Sequence, residues 1–447
     1  MYKISRYNYI IDYKGKKLFF NSMTGSGMLM SLSEWESMQP MLNDMYRFEH
    51  DFPKDFEQLK QMGYIVDSDF DELAYLKHMN RVANYSNKSY TLFINPTLEC
   101  NFRCWYCYEE HNKGYMSQET IGNLKQHIKN KVRNREINQL NLGWFGGEPL
   151  LYFDEVVYPI SKYAKQLMEE NNMPFYNSIT TNAYCINDDM IEKMQEIGLS
   201  YFQITLDGNR ERHNTIRNCS GKPSYDIIVR NIIKICKDID NATITLRINY
   251  DNVTLKKNIE EILSDFPKFV RSKLYIDMHR VWQTIKNCND DSNSSVKELD
   301  EFIVKARNME YNIRCNGVLL SKTYTGCYVC RTNFACINYD GKVYKCTACS
   351  FTEKDCFGKL MDSGEISWNI SRISKLYGYS PLENPQCMKC KHLPICLGPC
   401  PKHYMNNNHK VDCVYDVNER DIYQRIIDYY EDSVLDRNNN KYTKKLF

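Results

Sequence analysis

Apolar residues recur at short, strand-like spacing in YNYIIDY (7–13) and KKLFFNS (16–22), and the glycine of KGK (14–16) separates the two runs. This pattern predicts a β-hairpin. SLSEWESMQPML (31–42) changes to helical spacing, with Ser33 as the expected N-cap. FPKDFEQLKQMGYIVD (52–67) predicts a helix stopped near Gly63 and then a short strand. RVANYSNKSY (81–90) is polar and reads as a linker.

Beyond it the two periods alternate. TLFINPT, LNLGWFGG, YNSITTNA, YFQITLDG, ATITLRINY and LYIDMHRVW read as strands. Helical stretches separate most of them, among them SQETIGNLKQHIKNKV with Ser117 as N-cap and Glu119 in its first turn. FDEVVYPISKYAKQLMEEN reads as mostly helical despite Pro159. Six βα units predict a parallel sheet curved into a partial (β/α)6 TIM-like barrel, whose chemistry belongs at the C-terminal ends of the strands. The pattern therefore divides the chain into a small α+β module at 1–88, an α/β barrel at 89–314 and a cysteine-rich region at 315–447 that ends in the helix VNERDIYQRIIDYYEDSV. The barrel looks complete without the module, so the two are expected to separate.

Composition narrows the class. The formal charge of +2 over 447 residues offers no basic field for nucleic acid. No run of about 20 apolar residues predicts a membrane span, and MYKISRYNYI lacks the apolar core of a secretory signal. A cytoplasmic location is expected, where 19 cysteines stay reduced and their clusters serve as metal ligands. Cys185, Cys219, Cys236, Cys288 and Cys315 stand alone and are expected to be small buried hydrophobes.

Cys100, Cys104 and Cys107 form C-x3-C-x2-C directly after the first barrel strand. Thiolates suit iron–sulfur clusters, zinc or copper(I). Three of them without a nearby fourth cysteine fit a [4Fe–4S] cluster with one open iron; His111 is the residue that would complete a zinc site instead. The loop resembles the signature of the radical S-adenosylmethionine (SAM) superfamily. That resemblance implies that the open iron holds the amino and carboxylate groups of SAM, and that reductive cleavage yields a 5′-deoxyadenosyl radical. It also implies that Tyr106 lies near the adenine and that Gly146, Gly147 and Glu148 of FGGEP hold the SAM amino group. Asn182, Thr205 and Arg217 resemble further SAM or ribose contacts by position; turn or N-cap roles are the alternative.

Cys387, Cys390, Cys396, Cys400 and Cys413, with Gly341 and Cys346 upstream and Cys327 or Cys330 before them, resemble the SPASM extension of that superfamily. This implies two auxiliary [4Fe–4S] clusters, three clusters in all. Cys346 and Cys400 with an earlier cysteine, Cys327 or Cys330 or both, would hold the first. Cys387, Cys390, Cys396 and Cys413 would hold the second. Cys330, Cys336 and Cys349 have no fixed place in the pattern. Members related to anaerobic sulfatase maturation carry an Asp directly after the G-x4-C cysteine, Cys346 here, where this chain has Thr347. The module at 1–88 resembles the winged-helix elements that bind leader peptides by strand addition. The expected function is therefore a radical SAM/SPASM maturase that forms a thioether or carbon–carbon crosslink in a ribosomal precursor peptide, supplied with electrons by a flavodoxin or ferredoxin. The alternatives are an enzyme acting on a folded protein or small molecule, and a zinc-knuckle scaffold.

Overall fold

The computed structural model describes residues 1–86, 88–250, 259–281, 292–314, 324–408 and 413, and in the last helix residues 422–424, 426–427 and 429–431. Cys288 and Cys315 lie outside these residues. Two compact units emerge. One comprises Met1–Ser86, Gly317–Thr332 and Ser371–Phe447; the other comprises Asn87–Asn316 and Asn333–Ile370. This interleaving differs from the expected succession of domains, because the N-terminal module shares its core with the C-terminal end of the chain.

In the first unit, β1 (Tyr2–Ile4) pairs antiparallel with β5 (Ile65–Asp67). β2 (Asn8–Tyr13), β3 (Lys16–Asn21) and β4 (Gly27–Met30) form an antiparallel sheet with β3 central. Lys14 and Gly15, both at positive φ, make the expected hairpin turn. The helix Leu32–Met38 is capped by Ser31, not Ser33: Ser31 and Glu34 close a capping box. Phe19, on one side of β3, packs with Phe48, Phe56, Leu59 and Tyr64. Leu18 and Phe20, on the other side, pack with Tyr9, Ile11 and Ile426 of the C-terminal helix. The alternation of β3 thus feeds two cores, and one of them is supplied by residues some 400 positions away. RVANYSNKSY is not a linker through its length. The helix Glu72–Tyr85 runs into it, with Asp71 as N-cap and Leu76 buried against Leu382 and Leu393.

The second unit is built on one mixed sheet. Its parallel strands are β6 (Ser89–Ile94), β7 (Gln139–Trp144), β8 (Phe175–Thr181), β9 (Leu199–Leu206), β10 (Thr243–Tyr250), β11 (Leu274–Arg280) and β12 (Asn312–Arg314), each hydrogen-bonded to the next. On the far side of β6 a further parallel strand, β13 (Phe334–Ile337), leads into the antiparallel meander β14 (Lys342–Tyr344), β15 (Gly358–Leu360) and β16 (Ile366–Trp368). The cysteine-rich hairpin is therefore an extension of the barrel sheet. Helices such as Gln118–Arg133, capped by Ser117, and Tyr225–Asp238 bury Leu124, Ile128, Ile228 and Ile232 against Leu92, Leu142 and Leu246. Pro159 sits in the first turn of Tyr158–Glu170, where its missing N–H costs nothing. Among the described residues no helix is long and apolar enough to cross a membrane.

Candidate active site

The expected motifs meet at the C-terminal ends of β6–β11. A cavity of about 210 Å³ is lined by Cys100, Cys104 and Cys107, by Tyr106, Gly147 and Glu148, and by Asn182, Thr205 and Arg217. The cysteine loop is shaped by its own backbone. The Cys107 N–H donates to the Cys104 carbonyl at 3.0 Å, and the Phe102 N–H donates to Cys100 Sγ at 3.4 Å. Burial pushes the Cys100 thiol up to about 12, and Cys104 and Cys107 upward as well. Thiols so placed become thiolates only against positive charge, which a metal centre supplies. His111 Nε2 lies 3.5 Å from Cys107 Sγ, and among the described residues no three Cys, His, Asp or Glu side chains stand at single-ion spacing, the three cysteines included. The donor set is three thiols on one wall of a cavity, which fits a cluster better than a tetrahedral ion.

Several of these residues also make close contacts within the protein. Gly147, at positive φ, closes on protein rather than on open space. A Cβ there would stand 2.1 Å from the Glu99 carbonyl oxygen, next to Cys100. A Cβ on Gly146 would stand 2.7 Å from the Asn95 side chain. The glycines thus lock FGGEP onto the base of the cysteine loop, and the Glu148 N–H seals the junction by donating to the Glu99 carbonyl at 2.7 Å. The Glu148 carboxylate is buried and receives the Thr181 hydroxyl at 2.6 Å and the N–H groups of Asn182 and Leu150 at 2.7 and 3.0 Å. Burial raises its proton affinity while these donors oppose the rise. Asn182 in turn donates to the Asn101 side chain at 2.7 Å inside the cysteine loop.

Tyr106 is held by a buried network. Its hydroxyl donates to the Asp207 carboxylate. It accepts from Arg217 at 2.8 Å and from Asn249 at 3.2 Å. The same Arg217 nitrogen lies 3.5 Å from Cys104 Sγ. Asp207 Oδ1 and Arg217 Nε are buried without a hydrogen-bond partner among the described residues. Unmet polar atoms beside three thiols are what a site shaped for a polar cofactor presents.

Sequence reasoning missed Asp207, Glu109, Arg247, Asn249 and His279. The last four line the cavity. Glu109 accepts the Gly147 N–H at 2.6 Å, and burial pushes its carboxyl up to about 7. Glu109 lies two residues past Cys107, and Asp207 sits inside TLDG, so proximity to the motifs was the only available signal.

The other cysteines fall into groups within each unit. In the first, Cys387, Cys390, Cys396 and Cys413 lie within electrostatic reach of one another, and burial raises Cys387 to about 11 and Cys396 to about 12. Backbone N–H groups of His392 and Gly398 already donate to Cys390 and Cys396 sulfur at 3.3 and 3.5 Å. Cys327 and Cys400 are exposed, while Cys330 is half-buried near Tyr85 and Tyr377. In the second unit Cys346 neighbours Cys336 and Cys349, so two cysteines without a place in the sequence pattern gather around the hairpin cysteine. Cys236 is buried as expected, whereas Cys185 and Cys219 are half-buried.

The parallel strands thus carry three thiols and a cavity at their C-terminal ends. Residues 94–265 match the model of the Radical SAM superfamily. The cysteine-type anaerobic sulfatase-maturating enzyme of Clostridium novyi is 23% identical over 352 residues, covering 71% of this chain and 89% of that one. The structure of native anSMEcpe with bound AdoMet and Cp18Cys peptide superposes with a TM-score of 0.57 at 20% identity, over 79% of this chain and 99% of that one. Streptococcus suis SuiB bound to precursor peptide SuiA gives 0.51 at 15% identity, over 92% and 97%. Both share the fold.

Proposed function

We propose that this chain is a radical SAM/SPASM maturase that crosslinks a ribosomally made precursor peptide through a thioether or carbon–carbon bond. The observation that carries the reading is the placement of Cys100, Cys104 and Cys107 in one cavity with Glu148, Asn182, Thr205 and Arg217. When bound, the cluster and SAM supply a 5′-deoxyadenosyl radical that takes a hydrogen atom from the substrate. The chain's own contribution is positional. Gly146 and Gly147 fix the base of the loop, Asp207 and Arg217 hold Tyr106, and Thr205, Arg247, Asn249 and His279 line the space left for SAM and a substrate residue.

The four-thiol group of Cys387, Cys390, Cys396 and Cys413 supports one auxiliary cluster, and Cys346 belongs to the other. A flavodoxin or ferredoxin is the expected electron donor. The sheet of β2, β3 and β4 offers an edge for strand addition, since among the described residues β4 pairs only with β3. That favours a peptide substrate. SuiB, of the same fold, binds a precursor peptide. Thr347, where sulfatase-maturing relatives carry Asp, has no carboxylate to offer, and its carbonyl accepts the Tyr108 hydroxyl at 3.2 Å.

The test is co-expression with short peptides encoded beside the gene, followed by mass spectrometry. Loss of hydrogen mass localised to one pair of residues supports the reading. Zinc in place of iron and acid-labile sulfide in anaerobically purified protein excludes it.

A further inference from the structure

Tyr7 is fully buried, and its hydroxyl has no hydrogen-bond partner among the described residues. An unmet buried hydroxyl is costly and calls for a partner beyond the described residues. The surroundings say which. The N-terminal module is strapped to residues 388–391 at three points. The Arg6 guanidinium donates to the Met388 carbonyl at 2.5 Å. The Ser22 hydroxyl bridges the carbonyls of Tyr7 and Lys391 at 3.2 and 2.6 Å. Lys77 Nζ reaches Met388 Sδ at 3.7 Å. Met388 lies between the two cysteines of the turn and Lys391 directly follows the second. Arg6, Glu72 and Asp71 are the stronger charged neighbours of the Tyr7 hydroxyl, and Cys390 acts on it after them.

We propose that the Tyr7 hydroxyl donates a hydrogen bond to sulfur of the iron–sulfur cluster held by Cys387, Cys390, Cys396 and Cys413, and that the N-terminal segment thereby tunes that cluster's reduction potential. The proposal rests on the reading that these four thiols bind a cluster. Hydrogen bonds to cluster sulfur stabilise the reduced, more negative state and so raise the potential. His392 and Gly398 supply two such bonds from the backbone, and Tyr7 adds one from a part of the chain remote in sequence. A module expected only to recognise peptide therefore also sets the electron affinity of an auxiliary centre.

The experiment is redox titration of the anaerobically purified holoenzyme followed by EPR. Cys390→Ala first identifies which auxiliary signal belongs to this site; if no auxiliary signal or iron is lost, the four-thiol reading itself fails. Tyr7→Phe keeps the buried ring and removes only the hydroxyl. The expected result is unchanged iron content with that one midpoint potential shifted to more negative values, while the other two clusters stay put. Ser22→Ala loosens the strap but keeps the donor and should shift the potential less. As a second readout, the wild-type protein in D2O should show a deuteron coupled to that cluster which Tyr7→Phe lacks. Unchanged potential and unchanged deuteron coupling in Tyr7→Phe overturn the proposal while leaving the cluster assignment intact.

Discussion

The Tyr106 hydroxyl donates to the Asp207 carboxylate, which ties the cysteine loop after β6 to the end of β9. The bond joins two strands that are not neighbours in the sheet. Asp207 also lies 4.0 Å from the buried Arg217 guanidinium. Removing this carboxylate strands a cation next to Cys104.

Asp207→Ala is therefore expected to destabilise the second unit by about 3–5 kcal/mol, the cost of an uncompensated buried charge. Tyr106→Phe keeps the charge pair and should cost less, about 1.5–3 kcal/mol, for hydrogen bonds to charged groups. Chemical denaturation of both variants, read beside SAM binding, checks the ranking; equal stability would remove the network from the account.

Gly147→Val is expected to lose cluster iron together with SAM affinity, because the new side chain collides with the Glu99 carbonyl at the root of the loop. Iron analysis decides. Full iron with weakened SAM binding would mean that the glycine faces the cofactor instead.

A chain lacking residues 1–88 should lose more than peptide binding. Leu18 and Phe20 cover Ile426, and Arg6 and Ser22 brace the Cys387–Cys390 turn. The expected outcome is loss of roughly a third of the iron, with the SAM-binding cluster retained on a second unit that keeps its own core. A truncated protein with all its iron would show that the strap is dispensable.

His127 gives a pH signature. It is buried, with Nδ1 at 2.7 Å from the Gly364 carbonyl and Nε2 at 2.8 Å from the Tyr90 hydroxyl, and burial lowers its pKa to about 4. The unfolded chain protonates near 6.5, so between about 6.5 and 4 it binds more protons than the native state. Stability is full above that window and falls as pH drops through it, by at most about 3 kcal/mol. Urea midpoints measured at pH 7 and pH 5 should diverge for the wild type, and the gap should shrink in His127→Gln.

The sequence by itself determined what local pattern controls. Alternating periods set the strands and helices of the barrel, Ser117 set a cap, and the spacing of Cys100, Cys104 and Cys107 set the class of chemistry. These depend on residues a few positions apart. It also placed FGGEP and TLDG at strand ends, and hence on one face. Only the tertiary structure decided what each side chain does there. Glu148 accepts from Thr181 and two backbone N–H groups because the strand ends bring those donors within reach. Asp207 and Glu109 became visible only when the β6 loop closed on β7 and β9. The partition of the chain was likewise out of reach of local pattern. An apolar face on β3 predicts that something covers it, but the period carries no address, and the cover comes from Ile426, whose helix reads as an isolated terminal element.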